Sequence, residues 1–225
     1  MLLSAYGDSI TAAYGLLPAQ GFVPKLANRL SSFSGNPTHY FNFGQDGMTS
    51  WDLASAFRDH ADWRDGLGAA SAICILIGGD DLIQDLPVML SSPSGRVIKQ
   101  VFEFSRRAYA SLLGTAATLK KKTALLAVGT LYNPFPQTSA AVESVNLYNE
   151  TIIVQVARQF GVPIAPVHEV FAGSEAELIR GYRNGEAGAP GKGGVRYPVH
   201  PNPRGQSAIA TAFASTLDRS SPRQN

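Results

Sequence analysis

The sequence predicts a three-layer, doubly wound α/β fold around a five-stranded parallel sheet, and three observations carry that prediction. Short apolar runs alternate with longer segments of helical periodicity along the 225-residue chain, as when crossover helices join the strands of one sheet. Most of the short runs are apolar without interruption, which suits strands covered on both faces. Three glycine-bearing turns, at Gly7, Gly44–Gly47 and Gly78-Gly79, each follow one of these runs. In such a sheet ligands bind beyond the carboxyl ends of the strands, where these turns fall.

The elements follow in order. Leu2–Tyr6 is a short apolar strand, and the apolar spacing over Phe22–Phe33 is that of a helix. His39–Phe43 is a second strand, Ser50–Asp65 a helix, Ala72–Ile77 a third strand and Val97–Leu119 a long helix. Ala124–Val128 and Pro163–Val167 are the last strands, with a helix over Ser139–Phe160 between them. A final helix runs from Gly205 to about Leu217, with Ile209, Ala212, Phe213 and Leu217 on one face. Leu82–Gly95 holds Pro87, Ser91, Ser92, Pro93 and Gly95 and reads as a loop over the carboxyl edge. The glycine-rich Asn184–Gly194 reads as a second. Residues 1–218 suffice for one domain with a buried core, and 219–225 are a polar tail.

Composition narrows the function classes. With 44% hydrophobic and 16% charged residues the chain is an ordinary globular protein. Net charge is +2, and the one basic run, Lys120-Lys121-Lys122, reads as the polar end of a helix. No nucleic-acid partner is implied. The single cysteine, Cys74, rules out an internal disulfide and sits in an apolar strand as a small buried side chain. No stretch has the length of a membrane helix. No basic region with an apolar segment of signal-peptide size precedes Gly7, which points to the cytoplasm, or to secretion if a leader has been removed. Gly191-Lys192 lacks the spacing of a phosphate-binding loop, and the turn after the first strand lacks G-x-G-x-x-G. Both count against a nucleotide or flavin site. Nothing in the sequence indicates an oligomeric state.

Two positions carry chemistry. Ser9 lies in Tyr6-Gly7-Asp8-Ser9-Ile10-Thr11, at the tip of the first strand. A serine hydroxyl becomes a nucleophile when a base removes its proton during attack. A tight turn into a helix would expose its oxygen and bring backbone N–H groups toward an oxyanion. The plainer role for Asp8 or Ser9 is a helix cap. His200 lies in Val199-His200-Pro201-Asn202-Pro203, where two prolines and Gly205 give a rigid lead-in to the last helix. A base must be held still relative to its serine. Among the other histidines, His39 begins a strand, His60 lies on a charged helix face, and His168, which ends a strand, is the competitor.

These residues resemble the blocks of the GDSL/SGNH hydrolases. Gly7-Asp8-Ser9 is similar to their first block. Asn42-Phe43-Gly44-Gln45-Asp46-Gly47-Met48-Thr49-Ser50 resembles the second, with Gly47 matching the glycine that lends an N–H to the oxyanion. Gly78-Gly79-Asp80-Asp81 resembles the third, and Val199–Gly205 the fifth. The blocks occur in family order across nearly the whole chain. The resemblance implies a flavodoxin-like sheet and serine esterase, lipase or acylhydrolase chemistry on a small-molecule ester, with no metal or cofactor. It implies Ser9 as nucleophile, His200 as base, and an oxyanion hole from Ser9, Gly47 and the position of Asp80. Asp8, Asp81 and Tyr197 would support the site.

Two positions depart from the pattern. The third block expects an asparagine donor where this chain has Asp80, and an ionised carboxylate donates no hydrogen bond. At about 3 Å and an effective dielectric near 20, a second negative charge would cost the oxyanion about 5 kcal/mol. Asp80 is therefore expected to be protonated or turned away. The family also places an aspartate three residues before the histidine, and here that residue is Tyr197. Such an acid would orient the imidazole and stabilise its charged form. The rival to a serine ester hydrolase is thus a binding or scaffolding protein on the same fold, its catalytic parts weakened at these two positions.

Overall fold

The computed structural model describes residues 1–91, 95–187 and 198–220, with the backbone alone for 86–91 and 95–99. Five strands, β1 (Leu2–Gly7), β2 (His39–Gly44), β3 (Ala72–Leu76), β4 (Leu125–Gly129) and β5 (Ile164–Ala165), form one parallel sheet in the order β2-β1-β3-β4-β5. The register pairs Gly7 with Gly44 on one side and with Leu76 on the other, so three strand ends meet at one edge. The order reverses at β1, and the crevice beyond its carboxyl end is where such sheets hold ligands.

The unbroken apolar runs are explained by two cores. Successive strand side chains point to opposite faces. Tyr6, Ile73, Ile75 and Val128 enter one core, with helices α2 (Ser50–Asp59), α3 (Ala61–Ala69) and α5 (Gly95–Leu119). Leu3, Ala5, Cys74, Leu76 and Ala127 enter the other, with α1 (Phe22–Ser34) and α10 (Pro203–Ser220). The edge strand β2 departs from the expectation of two covered faces: Tyr40 and Phe41 are exposed, and Phe43 stacks on Tyr6 at 4.7 Å between ring centroids.

Several expected boundaries are corrected. The segment Leu82–Gly95, expected as a loop, is helical as α4 (Gly79–Ser91) and from the start of α5, with 92–94 outside the described residues. The spacing of Leu82, Leu86 and Leu90 outweighs Pro87 there. The single helix expected over Ser50–Asp65 is two, broken at His60, whose backbone is extended. Ser139–Phe160 is α6 (Ser139–Tyr148), a wider π-type turn at Asn149–Val154 and α7 (Gln155–Gln159). His168 lies in a short helix, α8 (Val167–Phe171), rather than at the end of β5, and α9 (Glu175–Leu178) follows. The last helix continues through 219–220, so the expected tail is shortened; 221–225 lie outside the described residues. Among the described residues no helix is long and apolar enough to cross a membrane.

Candidate active site

Ser9 sits in a turn, not at the start of a helix as expected: a short 3-10 helix follows only at Pro18–Gln20, and α-helix only from Phe22. The turn is closed by its own backbone. Ala12 N–H donates to Asp8 O at 3.0 Å, and Tyr14 N–H to Ser9 O at 2.9 Å. Neighbouring elements donate to three carbonyls of the turn. Gln206 of α10 donates to Ile10 O, Asn42 of β2 donates to Thr11 O, and Arg180 donates to Gly15 O. With its buried polar backbone partnered in this way, the turn is held without helical geometry. Gly7 is required where the turn leaves β1, because at φ +157° a Cβ there would lie 2.1 Å from Leu76 O.

His200 is held as firmly on the other side. Pro201 forms an antiparallel bridge with Ile179. Arg180 N–H donates to His200 O at 2.9 Å, and Asn202 N–H to Leu178 O at 2.8 Å. Asn202 also caps α10, its side chain accepting from Arg204 N–H at 2.8 Å and Gly205 N–H at 3.0 Å. Pro203 then opens the helix, where its fixed φ is favourable and its missing N–H costs nothing. Tyr132 OH donates to Val199 O. The outcome is a hydrogen-bond distance of 3.1 Å between His200 Nε2 and Ser9 Oγ, across 191 residues of sequence. Tyr14 lies on the imidazole, with ring centroids 4.9 Å apart and planes 30° from parallel.

The other histidines are elsewhere. His39 is on the exposed edge strand. His60 lines a groove of about 480 Å³ with Trp63, Ser55, Asp52, Asp46 and Gly47. His168 Nδ1 lies 3.2 Å from Leu131 O. Gly47 is in a left-handed conformation, φ +77°, in the loop after β2. Gln45 N–H fastens that loop to Gly7 O at 3.0 Å.

The acids have distinct settings. Asp8 is buried beside the serine, its Oδ1 accepting from Ile10 N–H at 2.9 Å. Burial, then the charge of Asp80, pushes its pKa up to about 8. Asp80 opens α4 half-buried, its pKa pushed up to about 6 by burial and then by Asp46, Asp81 and Asp52. Asp81 takes a structural place, accepting from Ser50 N–H at 2.8 Å and from its hydroxyl, so the start of α4 is tied to the start of α2. Burial raises its pKa, with the Ser50 hydrogen bonds opposing. Tyr197 lies outside the described residues. Among the described residues no cluster of His, Cys, Asp and Glu is arranged to hold a metal.

Sequence reasoning had singled out Ser9, His200, Gly47 and the acids, but not Tyr14, Arg180, Gln206 or Tyr132. Their partners are remote in sequence, and no local pattern marks them. A hydroxyl and an imidazole at this distance, beside a glycine-bearing loop, constitute a site able to move a proton off serine.

The fold is shared with known proteins. In solved structures the fold is similar to that of a lipase from a goat rumen metagenome, at 20% identity and a TM-score of 0.79, covering 96% of this chain and 97% of that one. It is also similar to an alpha/beta hydrolase enzyme from the metagenome of Lake Arreo, at 22% identity, a TM-score of 0.69 and coverage of 96% and 94%. An acetylxylan esterase from Geobacillus stearothermophilus matches at 18% identity, a TM-score of 0.68 and coverage of 96% and 93%. No curated protein matches the chain in sequence. The model of the GDSL-like Lipase/Acylhydrolase family matches residues 5–208, a span that takes in both Ser9 and His200, and the chain belongs to that family.

Proposed function

We propose that this chain hydrolyses carboxylic esters of small molecules through a Ser9–His200 pair. The observation that supports it is the 3.1 Å separation of His200 Nε2 and Ser9 Oγ. Ser9 Oγ attacks the ester carbonyl as its proton passes to His200 Nε2. The tetrahedral oxyanion is held by the N–H groups of Ser9 and Gly47. The intermediate collapses to an acyl-serine as the imidazolium gives its proton to the leaving alcohol. Water, deprotonated by His200, then releases the acid and restores the serine. No cofactor enters these steps.

Asp80 favours a second reading. With its pKa near 6 it is largely ionised at neutral pH, and a carboxylate near the oxyanion opposes the reaction. That would suit a binding or scaffolding protein on the hydrolase fold. A fluorophosphonate probe and a chromogenic short-chain ester separate the two. The hydrolase should be labelled at Ser9, and Ser9→Ala should lose both labelling and ester hydrolysis. Absence of labelling in the wild type would favour the binding protein. Labelling that survives Ser9→Ala would put the nucleophile elsewhere.

A further inference from the structure

The turn after Ser9 contains one strained residue. Ala13 is held at φ +57°, a left-handed conformation that an L side chain adopts at a cost. The kink directs the following residue: Tyr14 N–H returns to Ser9 O at 2.9 Å, and its ring comes to lie on the imidazole of His200 at 4.9 Å. Arg180 locks the same corner from outside. Its guanidinium donates to Gly15 O while its backbone N–H donates to His200 O. Among the described residues, the turn that carries the serine and the loop that carries the histidine are thus joined Oγ to Nε2, ring to ring, and through Arg180.

We propose that Tyr14 is a positioning residue for His200, its ring face holding Nε2 against Ser9 and favouring the cationic imidazolium formed when the serine proton is transferred. The inference rests on the reading of Ser9 and His200 as nucleophile and base. An aromatic face carries negative potential and attracts a cation within about 6 Å of its centre, and the imidazole lies inside that range. The attraction is stronger for the charged ring than for the neutral one. It therefore acts more on the transition state than on the resting enzyme, which is the condition for raising kcat. Among the described residues, the titratable and charged groups on the surrounding elements include Asp8 on the turn, Asp80 and Asp81 at the start of α4, Tyr132 after β4, His168 on α8, Glu175 on α9, Arg180, and Arg204 paired with Glu177. All of them are unchanged in the variants below, so a difference between variants isolates the ring.

The test compares Tyr14→Leu, which removes the ring, with Tyr14→Phe, which keeps its face. In a Ser9→Ala background, the His200 ring protons are followed by NMR through a pH titration, with His200→Gln identifying the resonance. Loss of the ring should move the titration midpoint down by about half to one pH unit, and Tyr14→Phe should stay close to Ser9→Ala alone. With Ser9 intact, Tyr14→Leu should lower kcat on a chromogenic ester by about 3–30-fold at little changed KM, and Tyr14→Phe should recover most of it. A midpoint in Tyr14→Leu that is unchanged or raised would overturn the proposal, since a ring that merely shields the imidazole from water disfavours its charged form. Tyr14→Gln, a second variant without the ring, stands in if Tyr14→Leu fails to fold. The titration needs no activity. A chain that shows the shift but hydrolyses nothing would reject the esterase reading and keep the contact.

Discussion

Burial and neighbouring acids raise the pKa of both Asp8 and Asp80, so stability and rate are each expected to vary with pH. Asp8 is held near 8 in the folded chain and lies near 4 when unfolded. The folded state therefore holds the extra proton between those values. Its contribution to stability is fully present below about pH 4 and is lost as pH rises to about 8, at up to about 1.4 kcal/mol per pH unit. Asp80 adds a loss of its own from about 4 toward 6. Urea unfolding at about pH 5 and about pH 7.5 should show the decline, and Asp8→Asn should flatten most of it. At the oxyanion the same logic concerns rate. If protonated Asp80 donates, activity should fall as pH rises through about 6, whereas Asp80→Asn should not show that fall. At neutral pH Asp80→Asn should raise kcat by about 10–10³ by restoring a donor. An Asn variant slower at every pH would assign the carboxylate a positive role.

Between elements, the turn that carries Ser9 is shaped by how closely the ends of the strands approach it. Gly44, at the end of β2, would place a Cβ 2.3 Å from Ala12 N and 2.5 Å from Thr11 C. Both are backbone atoms of the turn and cannot rotate away. Gly44→Ala should therefore cost about 1–3 kcal/mol of stability, and by displacing the turn it should also slow fluorophosphonate labelling of Ser9. Ala13 offers the converse change. Removing its Cβ relieves about 1–2 kcal/mol of left-handed strain against roughly 0.5–1 kcal/mol of added chain entropy. Ala13→Gly should thus raise the unfolding free energy slightly, by about 0.5–1 kcal/mol, and a loss of stability would show that the methyl packing outweighs the strain. The labelling rate of Ser9 in the same variant reports whether the position of Tyr14 depends on the Ala13 conformation.

Both cores include residues of the one sheet, so the described residues are expected to unfold as one cooperative unit. Phe213 of α10 is fully buried, stacks on Phe22 with centroids 5.8 Å apart, and lies against Gly129 at the end of β4. Phe213→Ala should cost about 3–5 kcal/mol, and fluorescence and circular dichroism should still report a single unfolding transition. Two separated transitions would mean that the layers unfold independently. Phe41→Ala, on the exposed side of the edge strand, should change stability by less than about 0.5 kcal/mol. The last helix also ties the core to the segments that carry Ser9 and His200. Gln206 links α10 to both Phe22 N–H and Ile10 O, and Asn202 caps it beside His200.

By itself the sequence determined the α/β class, the run of strands and helices, the turn that carries Ser9 and the loop that carries His200. Each is specified by neighbours along the chain: apolar period, glycine at a turn, asparagine and proline at a helix start. Where neighbours conflicted, the reading failed, as at Pro87, which did not end α4, and at His60, where a continuous helical pattern hid a break. Tertiary structure alone decided the order β2-β1-β3-β4-β5, the 3.1 Å between Ser9 and His200, and the ring of Tyr14 on the imidazole. It also decided that Arg180 would reach a glycine 165 residues away. These contacts join segments that carry no local mark of one another. They exist because two buried faces, packed at once, leave the strand ends and the final helix only one close arrangement.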